Sequence, residues 1–291
     1  MVEYRHFRYF LALAEHLHFG KAAASVNLAQ PSLSRQIASL EQALGCELVV
    51  RNSRSVTLTA AGRELQRNAS KVVAGFESAI RATQAVARGE RGELKIGFTS
   101  MIAWTGFPRL VRSFSDAYPN VSLSLGELLP GDLIRSVESG DNDLCLSFRP
   151  LTQDSLEYRT LHVEKLCIAI PSDHPMADQE EVTLADLRLS PFIISPRSTA
   201  PVLFDQIMGL CQAAGFEPSV RLYTHLQGTI VNLVAEGLGV AVVPSAMVKA
   251  NLSGVRFYPI EGSPDVELVV AWDPGNRNPC LGTFLEAALG N

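Results

Sequence analysis

The spacing of hydrophobic residues predicts three helices within the first 44 positions of the chain. Apolar side chains recur every three or four residues from Phe7 to Leu17, and a short alanine-rich helix follows over residues 21–26. A third helix after the break at residues 27–29 carries a narrow apolar stripe formed by Leu33, Ile37, Leu40 and Leu44. Stripes of this kind indicate helices that bury one face in a small domain.

The opposite face of the third helix has an unusual composition. It presents Ser32, Arg35, Ser39 and Gln42, with Gln36 beside them. Solvated helix faces usually carry glutamate and lysine instead. Pro31 suits the first helical position, where its missing N–H is not needed. This face is therefore a candidate surface for contact with something other than water.

Residues 47–59 read as two short β segments around a polar turn at 51–54. Thr59 can cap the long helix that follows over residues 60–88. The apolar positions of that helix alternate steps of three and four: Leu65, Ala69, Val72, Phe76, Ile80 and Thr83. Because so long a helix cannot fold back on so small a domain, we expect a helix from a second copy to cover this seam.

From residue 93 the pattern changes to alternating strands and helices. Strands are predicted at residues 93–98, 121–127, 143–148, 165–171, 191–195, 219–223 and 240–244. Helices are predicted between them at 107–119, 132–140, 202–215 and 230–239. Such alternation predicts parallel sheets flanked by helices. The two series join near residue 160 and return near 265, which predicts two lobes around a cleft.

Composition agrees with a multidomain globular protein. A length of 291 residues fits two or three domains, and 47% hydrophobic against 19% charged residues allows a sizeable core. No apolar run reaches the length needed to cross a bilayer, and the N-terminal residues lack the pattern of a secretory signal. The five cysteines are widely spaced, which argues against a disulfide framework or a zinc site. We therefore expect a cytoplasmic protein without a membrane segment.

The net charge of −5 conceals an asymmetry between the two parts of the chain. Residues 1–88 contain 11 basic and 6 acidic side chains, a balance of +5. The remaining residues contain 14 basic and 24 acidic side chains, a balance of −10. A basic N-terminal part on an acidic body predicts a polyanionic partner for that part.

The helices over residues 20–44 have the spacing of a helix-turn-helix, which places its second helix in the major groove of DNA. There Arg35 can donate to guanine O6 and N7, Gln36 can pair with adenine, and serines can donate to phosphates or bases. The alternative is an ordinary three-helix bundle with a solvated face. The composition of this face, the arginines at residues 51 and 54 and the local positive charge favour double-stranded DNA as a partner.

Residues 5–62 carry the block AAASV…QPSLSRQI…LE…LG…L..R……LT.AG, which resembles the winged helix-turn-helix of LysR-type transcriptional regulators. More loosely, LKIGF, LVRSFSDAYPNVSLSL, HPMA and IVNLVAEGLGVAVVP resemble the effector domain of the same family. The resemblance implies a winged helix-turn-helix over residues 1–59, a dimerising linker helix over 60–89 and an α/β effector domain over 90–291. That domain would resemble type 2 periplasmic binding proteins, with lobe one at 93–161 and 268–291 and lobe two at 162–267.

The resemblance assigns DNA-binding roles residue by residue. Positions 30, 31, 34 and 35 match recognition-helix positions that meet DNA, and positions 51 and 54 match the wing. Together with the two further polar residues of the helix face, the predicted DNA-binding residues are Gln30, Pro31, Ser32, Ser34, Arg35, Gln36, Arg51 and Arg54. Ala29 departs from the family, which usually has serine there, so a helix-capping hydroxyl is missing.

The resemblance also implies a small effector between the lobes. Thr99 and Ser100, followed by Met101, match the inducer-binding segment of the family. They stand near a predicted helix start, where hydroxyls and free N–H groups favour an anion. Capping of that helix is the simpler role for the two hydroxyls, and pocket lining is the role we favour.

Further effector-binding candidates come from strand ends and one helix start. Arg149 follows a predicted strand and can grip a carboxylate with two hydrogen bonds. Ser195, Pro196 and Arg197 follow a strand of the other lobe, and Gln227 begins its last helix. For both arginines a surface salt bridge is an equal alternative.

The family resemblance extends to partners. It implies a homodimer or homotetramer, a pseudo-palindromic promoter site and contact with RNA polymerase. The subgroup that this sequence resembles most regulates the catabolism of aromatic compounds. An aromatic or other small carboxylate is therefore the expected effector.

The residues show no sign of catalysis. Six histidines lack metal-binding spacing, and no serine-hydrolase or nucleotide-binding motif occurs in a usable context, so we expect no enzyme, no metal and no cofactor. Two alternatives to a regulator remain. One is a cytoplasmic small-molecule-binding protein whose N-terminal helices serve only assembly, and the other is an enzyme with a two-lobed cleft.

Overall fold

A computed structural model describes residues 1–52, 55–149 and 155–290. The chain divides into two compact units, Met1–Gln84 and Ala85–Asn291, and each unit is treated by itself below. Within the described residues, no helix combines the length and the apolar character needed to cross a membrane.

Three short helices form the core of the first unit: α1 (Tyr4–His16), α2 (Phe19–Ser25) and α3 (Gln30–Leu44). Their inward residues Leu33, Ile37 and Leu40 are fully buried, which confirms most of the predicted stripe. The assignment of Leu44 to the buried stripe is wrong, because this residue is 41% exposed. It lies in the last turn, next to the Gly45 that ends the helix at a φ of 69°.

The start of α3 departs in two small ways from expectation. The helix begins at Gln30, so Pro31 occupies its second position rather than its first. Ala29 is the residue before the helix, and no side chain caps the helix there. Pro31 has no N–H and the Ser32 N–H donates to the Ala29 carbonyl at 2.9 Å, so within the first three residues of the helix only the Gln30 N–H is available to an external acceptor.

A two-stranded wing and a long helix complete the first unit. The strands β1 (Val49–Asn52) and β2 (Ser55–Leu58) pair antiparallel, and α4 (Ala60–Ala87) follows. The Thr59 hydroxyl accepts a hydrogen bond from the Gly62 N–H at 2.9 Å, so the predicted cap is confirmed. Arg54 lies outside the described residues.

The second unit alternates strands and helices as predicted. In chain order it contains β3 (Gly92–Phe98), α5 (Phe107–Ala117), β4 (Val121–Glu127), α6 (Pro130–Glu138), β5 (Leu144–Phe148), β6 (Glu157–Glu164), β7 (Leu166–Pro171), β8 (Pro191–Ile194), α7 (Pro201–Ala213), β9 (Ser219–Tyr223), α8 (Gln227–Ala235), β10 (Ala241–Pro244), β11 (Val255–Pro259), β12 (Val266–Trp272) and α9 (Pro279–Leu289). Single-turn 3-10 helices lie at Ser100–Trp104, Leu184–Leu187 and Ser245–Ala250.

The sheets of this unit define two lobes. Lobe one is built on a five-stranded sheet of order β4-β3-β5-β12-β6. Lobe two is built on β10-β7-β11 and on the parallel pair β8-β9, which a single bridge between Phe192 and Val240 joins to β10. The largest buried cluster takes side chains from both lobes, including Ile96 of β3 and Ile193 of β8.

The prediction of parallel sheets flanked by helices is confirmed for some strand pairs and wrong for others. β3 runs parallel to β4 and β5, but β12 runs antiparallel to both β5 and β6. In lobe two, β7 runs antiparallel to β10 and β11. The reason lies in the connections, because β6 and β12 lie where the chain leaves lobe one and returns to it, outside any strand–helix–strand unit.

We expect Gly62→Ala to destabilise the first unit, because an added Cβ would lie 2.1 Å from the Leu48 carbonyl oxygen. Overpacking of this kind typically costs about 1–3 kcal/mol. Gly75→Ala on the same helix is the control, since nothing lies within 4 Å of its added Cβ and alanine favours a helix. Hydrogen exchange at α1 and α3 amides checks this; equal protection in both variants would contradict it.

Candidate functional sites

The polar residues of α3 share one surface in the first unit. Gln30, Pro31 and Arg35 are exposed, and Ser32, Ser34 and Gln36 are half-buried at the borders of this face. An Arg35 Nη atom lies 3.4 Å from the Ser32 hydroxyl, a weak contact that leaves the guanidinium available. The first turn contains no acidic residue, so nothing there repels a phosphate.

Arg51 of the wing is attached to this surface. It donates to the Ser34 hydroxyl at 3.1 Å and to the Glu41 carboxylate at 3.3 Å. Its guanidinium carbon lies 4.8 Å from the centre of the Phe19 ring, a cation–π contact. The structure therefore brings Arg51 together with the predicted residues of α3.

The predicted seam of α4 is only partly covered in one chain. Ala69 is buried and Leu65 packs against the core of the first unit. Tyr4 stacks on Phe76 at a ring-centroid distance of 4.2 Å, yet Phe76 remains 47% exposed. Nearly half of each neighbouring apolar side chain is also exposed, at Val72, Ile80 and Val86.

A small recess between the lobes brings together five of the predicted effector-binding residues. Thr99, Ser100 and Met101 line it from lobe one, and Ser195 and Gln227 line it from lobe two. Its volume is about 10 Å³, which is room for roughly one water molecule.

A second recess adjoins the first, with a volume of about 90 Å³. The two share Pro130, Phe148 and Ala200 in their walls, and Arg149 lines only the second. A larger recess of about 460 Å³ lies on lobe one against α5 and α9, and no predicted effector-binding residue lines it.

The polar groups of the first recess are buried and incompletely bonded. Gln227 donates from Nε2 to the Ser195 hydroxyl at 3.0 Å, and its Oε1 is buried without a partner. Thr99 is only 5% exposed, and no side-chain hydrogen bond caps the short helix after it. The capping alternative for Thr99 therefore does not apply to its hydroxyl in this arrangement.

Three helices begin at the two recesses. Pro130 starts α6, Pro201 starts α7 and Gln227 starts α8, and all three residues line one recess or both. The first turn of a helix has N–H groups without intrahelical partners and carries partial positive charge. The recesses therefore offer a favourable setting for a negatively charged group.

Both predicted arginines are already paired. Arg149 lies 2.5 Å from the Glu267 carboxylate, and hydrogen bonds from Arg149 and Thr160 hold the pKa of Glu267 below its ordinary value. Arg197 forms a forked pair with Asp205 at 2.7 and 2.9 Å, which likewise lowers the pKa of Asp205. Pro196 and Arg197 do not line either recess.

Sequence reasoning missed His225, Phe148 and Pro130, which also line the first recess. The His225 Nδ1 atom lies 2.6 Å from the Thr199 hydroxyl. Its position two residues before Gln227 was the available signal. Phe148 and Pro130 carried no signal, because an aromatic strand end and a helix-starting proline are common in any α/β domain.

The lobes are joined at two crossing points, residues 164–166 and 263–266. The buried Glu164 carboxylate lies 2.8 Å from His162 of lobe one and accepts a hydrogen bond from Ser245 of lobe two at 2.6 Å. Lys165 of the first crossing pairs with Asp265 of the second at 2.5 Å. The Glu164–Ser245 hydrogen bond and the Lys165–Asp265 pair therefore lie where the chain passes between the lobes.

The described residues offer no catalytic or metal centre. No group of three or more His, Cys, Asp or Glu side chains among them could hold a metal ion. Burial raises the pKa of the Cys145 and Cys167 thiols to about 12, so both stay protonated near neutral pH. These thiols are therefore poor nucleophiles.

Comparison with known proteins agrees with the geometry. Residues 4–63 match the family described as bacterial regulatory helix-turn-helix protein, lysR family. Residues 87–291 match the LysR substrate binding domain. The chain therefore belongs to the LysR family of DNA-binding transcriptional regulators. It is a regulator with an effector-binding domain and not an enzyme.

Relatives and solved structures cover the whole chain. YnfL of Escherichia coli strain K12, an uncharacterized HTH-type transcriptional regulator, is 36% identical across 93% of this chain and 92% of its own length. CbnR, a LysR family transcriptional regulator, superimposes with a TM-score of 0.87 at 25% identity, covering 99% of this chain and 100% of CbnR. A structure of full-length CbnR with its target DNA gives a TM-score of 0.79 at 24% identity over 99% of each chain.

Proposed function

We propose that residues 1–59 read double-stranded DNA through the exposed face of α3 and the wing. Gln30, Pro31, Ser32, Ser34, Arg35 and Gln36 would meet bases and phosphates, with Arg51 and Arg54 at the wing. The single observation that carries this proposal is the exposed, acid-free first half of α3 with its unoccupied Arg35 guanidinium. Arginine in the major groove contacts guanine through two hydrogen bonds, which supplies sequence choice.

We propose further that the seam of α4 pairs two copies of the chain. A dimer would present two recognition helices to the halves of a pseudo-palindromic promoter site. Support comes from the half-exposed apolar side chains of α4. The family resemblance extends the proposal to a homotetramer, to contact with RNA polymerase and to a cytoplasmic location.

For the effector, we propose a small carboxylate held between the lobes, with an aromatic acid as the favoured kind. Its charge would lie at the starts of α6, α7 and α8, and hydroxyls of Thr99, Ser100 and Ser195 would donate to it. Because Arg149 and Arg197 are paired with acids, the helix starts rather than a free guanidinium supply the attraction. Met101, Pro196 and Gln227 complete the proposed contact set. The aromatic preference rests on the sequence's resemblance to regulators of aromatic catabolism.

Binding of this effector requires the lobes to separate. Small-molecule sites usually enclose about 300–1,000 Å³, far more than the two recesses provide. An effector would therefore select a wider arrangement of the lobes, and its differential affinity for that arrangement would drive regulation. The crossings at residues 164–166 and 263–266 would act as the hinge.

We expect Arg35→Ala to lower affinity for the protein's own upstream region by about 10–100-fold, because a bidentate base contact contributes about 1–3 kcal/mol. Affinity for scrambled DNA should change little. Arg112→Ala in the second unit is the control, because it removes the same charge from a side chain that is 85% exposed. Fluorescence anisotropy with labelled duplexes measures both. Equal, non-selective binding by wild type and Arg35→Ala would contradict the proposed reading surface.

We expect small aromatic or dicarboxylic acids to bind the full-length chain, and their isosteric amides to bind at least about 10-fold more weakly. Thr99→Val and Ser195→Ala should each weaken acid binding by about 10-fold, since each removes a donor to a charged group. Ser115→Ala, on the exposed side of α5, is the control. Isothermal titration calorimetry measures these affinities. Tighter binding of a neutral amide would refute the carboxylate proposal.

A further inference from the structure

One carboxylate holds the wing to the recognition helix. Glu41 lies on α3 with a side chain only 16% exposed. Its Oε1 accepts the N–H of Leu48 at 2.8 Å and the N–H of Val49 at 3.2 Å. These are the residues with which the chain enters β1, so Glu41 fixes where the wing begins relative to α3.

The second oxygen of the same carboxylate engages Arg51. Glu41 Oε2 accepts from Arg51 at 3.3 Å, while the other guanidinium nitrogen donates to the Ser34 hydroxyl at 3.1 Å. The planar guanidinium also packs on Phe19 of α2. Because Ser34 accepts this bond through its oxygen, its own O–H remains free to donate. Ser34 is thus set to meet an acceptor on DNA, which is a phosphate oxygen or a purine N7.

The far side of the same short segment faces α4. The Leu48 carbonyl accepts the N–H of Thr59 at 3.0 Å, and the Thr59 hydroxyl donates to the Glu47 carbonyl at 2.7 Å. Gly62 approaches the Leu48 carbonyl so closely that any Cβ would collide with it. Residues 47–49 are therefore hydrogen-bonded to Glu41 on one side and to Thr59, at the start of α4, on the other.

We propose that Glu41 is a positioning residue for DNA recognition. Through residues 48 and 49 it sets the wing against α3, and through Arg51 it orients the Ser34 hydroxyl toward the DNA. This inference rests on the proposed DNA-reading surface and adds to it a residue that does not touch DNA. It also changes the role of Arg51, whose guanidinium acts as the link between Glu41 and Ser34.

The sign of the effect distinguishes positioning from simple electrostatics. A carboxylate close to DNA repels phosphates, so its neutralisation strengthens binding if charge alone matters. A positioning carboxylate has the opposite effect. Glutamine has one acceptor oxygen in place of two, so it cannot accept from the N–H groups of residues 48 and 49 and from Arg51 in the same way, and it loosens either the wing or the Ser34 hydroxyl. Glu47 offers a matched comparison, since it is exposed and forms no ion pair within the described part of the chain.

The test uses full-length Glu41→Gln and Glu47→Gln with a labelled duplex of the protein's own upstream region and a scrambled duplex of equal length. We expect Glu41→Gln to lose about 10-fold in affinity for the upstream duplex and little for the scrambled one. Glu47→Gln should bind both as well as wild type or slightly better. An affinity of Glu41→Gln for the upstream duplex equal to or above that of wild type would overturn the proposal.

Arg51→Lys tests the link without any change at Glu41, so it covers the case in which Glu41→Gln is poorly folded; where both variants fold, they complete a double-mutant cycle. Arg51→Lys retains the charge but not the fork that joins Glu41 to Ser34. We expect Arg51→Lys, like Glu41→Gln, to lose preference for the upstream duplex over the scrambled one. The affinity of the double variant for the upstream duplex should fall no more than about 2-fold further. The link from Glu41 through Arg51 to Ser34 would be refuted by either of two results. One is that the losses of the two single variants add fully in the double variant, and the other is that Arg51→Lys prefers the upstream duplex as strongly as wild type does.

The same binding assay separates this inference from the proposed function. If Arg35→Ala no longer prefers the upstream duplex to the scrambled one but Glu41→Gln still does, only the positioning role of Glu41 is refuted. Absence of discrimination in wild type removes the reading surface itself.

Discussion

The exposed apolar face of α4 is the constraint on which the arrangement of this protein depends. Four side chains from Val72 to Val86 are each 44–48% exposed, and they extend over about 21 Å at 1.5 Å per residue. The small first unit buries only the beginning of this face, at Leu65 and Ala69, and covers part of Phe76 with the Tyr4 ring. Covering the rest in a second copy contributes about 1 kcal/mol for each half-exposed side chain. This gain is what supports the proposed dimer, which would present two recognition helices to one DNA site.

Within the first unit, stability and recognition use the same short segment. The peptide groups of residues 47–49 are bonded to Glu41 on α3 and to Thr59 at the start of α4. Residues 47–49 therefore link α3 directly to the start of α4. Because Gly62 leaves no space beside the Leu48 carbonyl, residues 47–49 cannot move closer to α4 without steric overlap. Besides the ladder that pairs β1 with β2, the wing is held by Glu41, by the bond from Arg51 to Ser34 and by the bond from Arg63 to the Leu58 carbonyl.

Local sequence patterns were sufficient for much of the fold. Helical spacing gave α1 to α4 to within a few residues, and alternation gave most elements of the second unit, because both signals arise from neighbours in the chain. The position of β12 between β5 and β6 was not readable, since strand order depends on long-range pairing. Leu44 looked like a core residue, but only the ending of α3 at Gly45 shows that no core lies beside it.

The candidate effector site also combines features that the sequence predicts with features that depend on long-range contacts. Five residues that the sequence singled out meet at one recess. A salt bridge was one of the two alternatives for Arg149, but its partner Glu267 lies 118 positions away and could not be identified from the sequence. The small volume of the recess is likewise a property of how the two lobes pack, which no local pattern encodes. The proposed opening of the lobes rests on this small volume.

Sedimentation velocity of Phe76→Glu tests the central claim most directly. A buried, unpaired charge in a helix seam is strongly unfavourable, so the variant should sediment with a smaller mass than wild type at equal concentration. Ser78→Glu adds the same charge at an exposed position on the opposite side of α4 and should sediment as wild type does. If Phe76→Glu and wild type sediment with the same mass, the face of α4 does not join two copies, and the account is wrong.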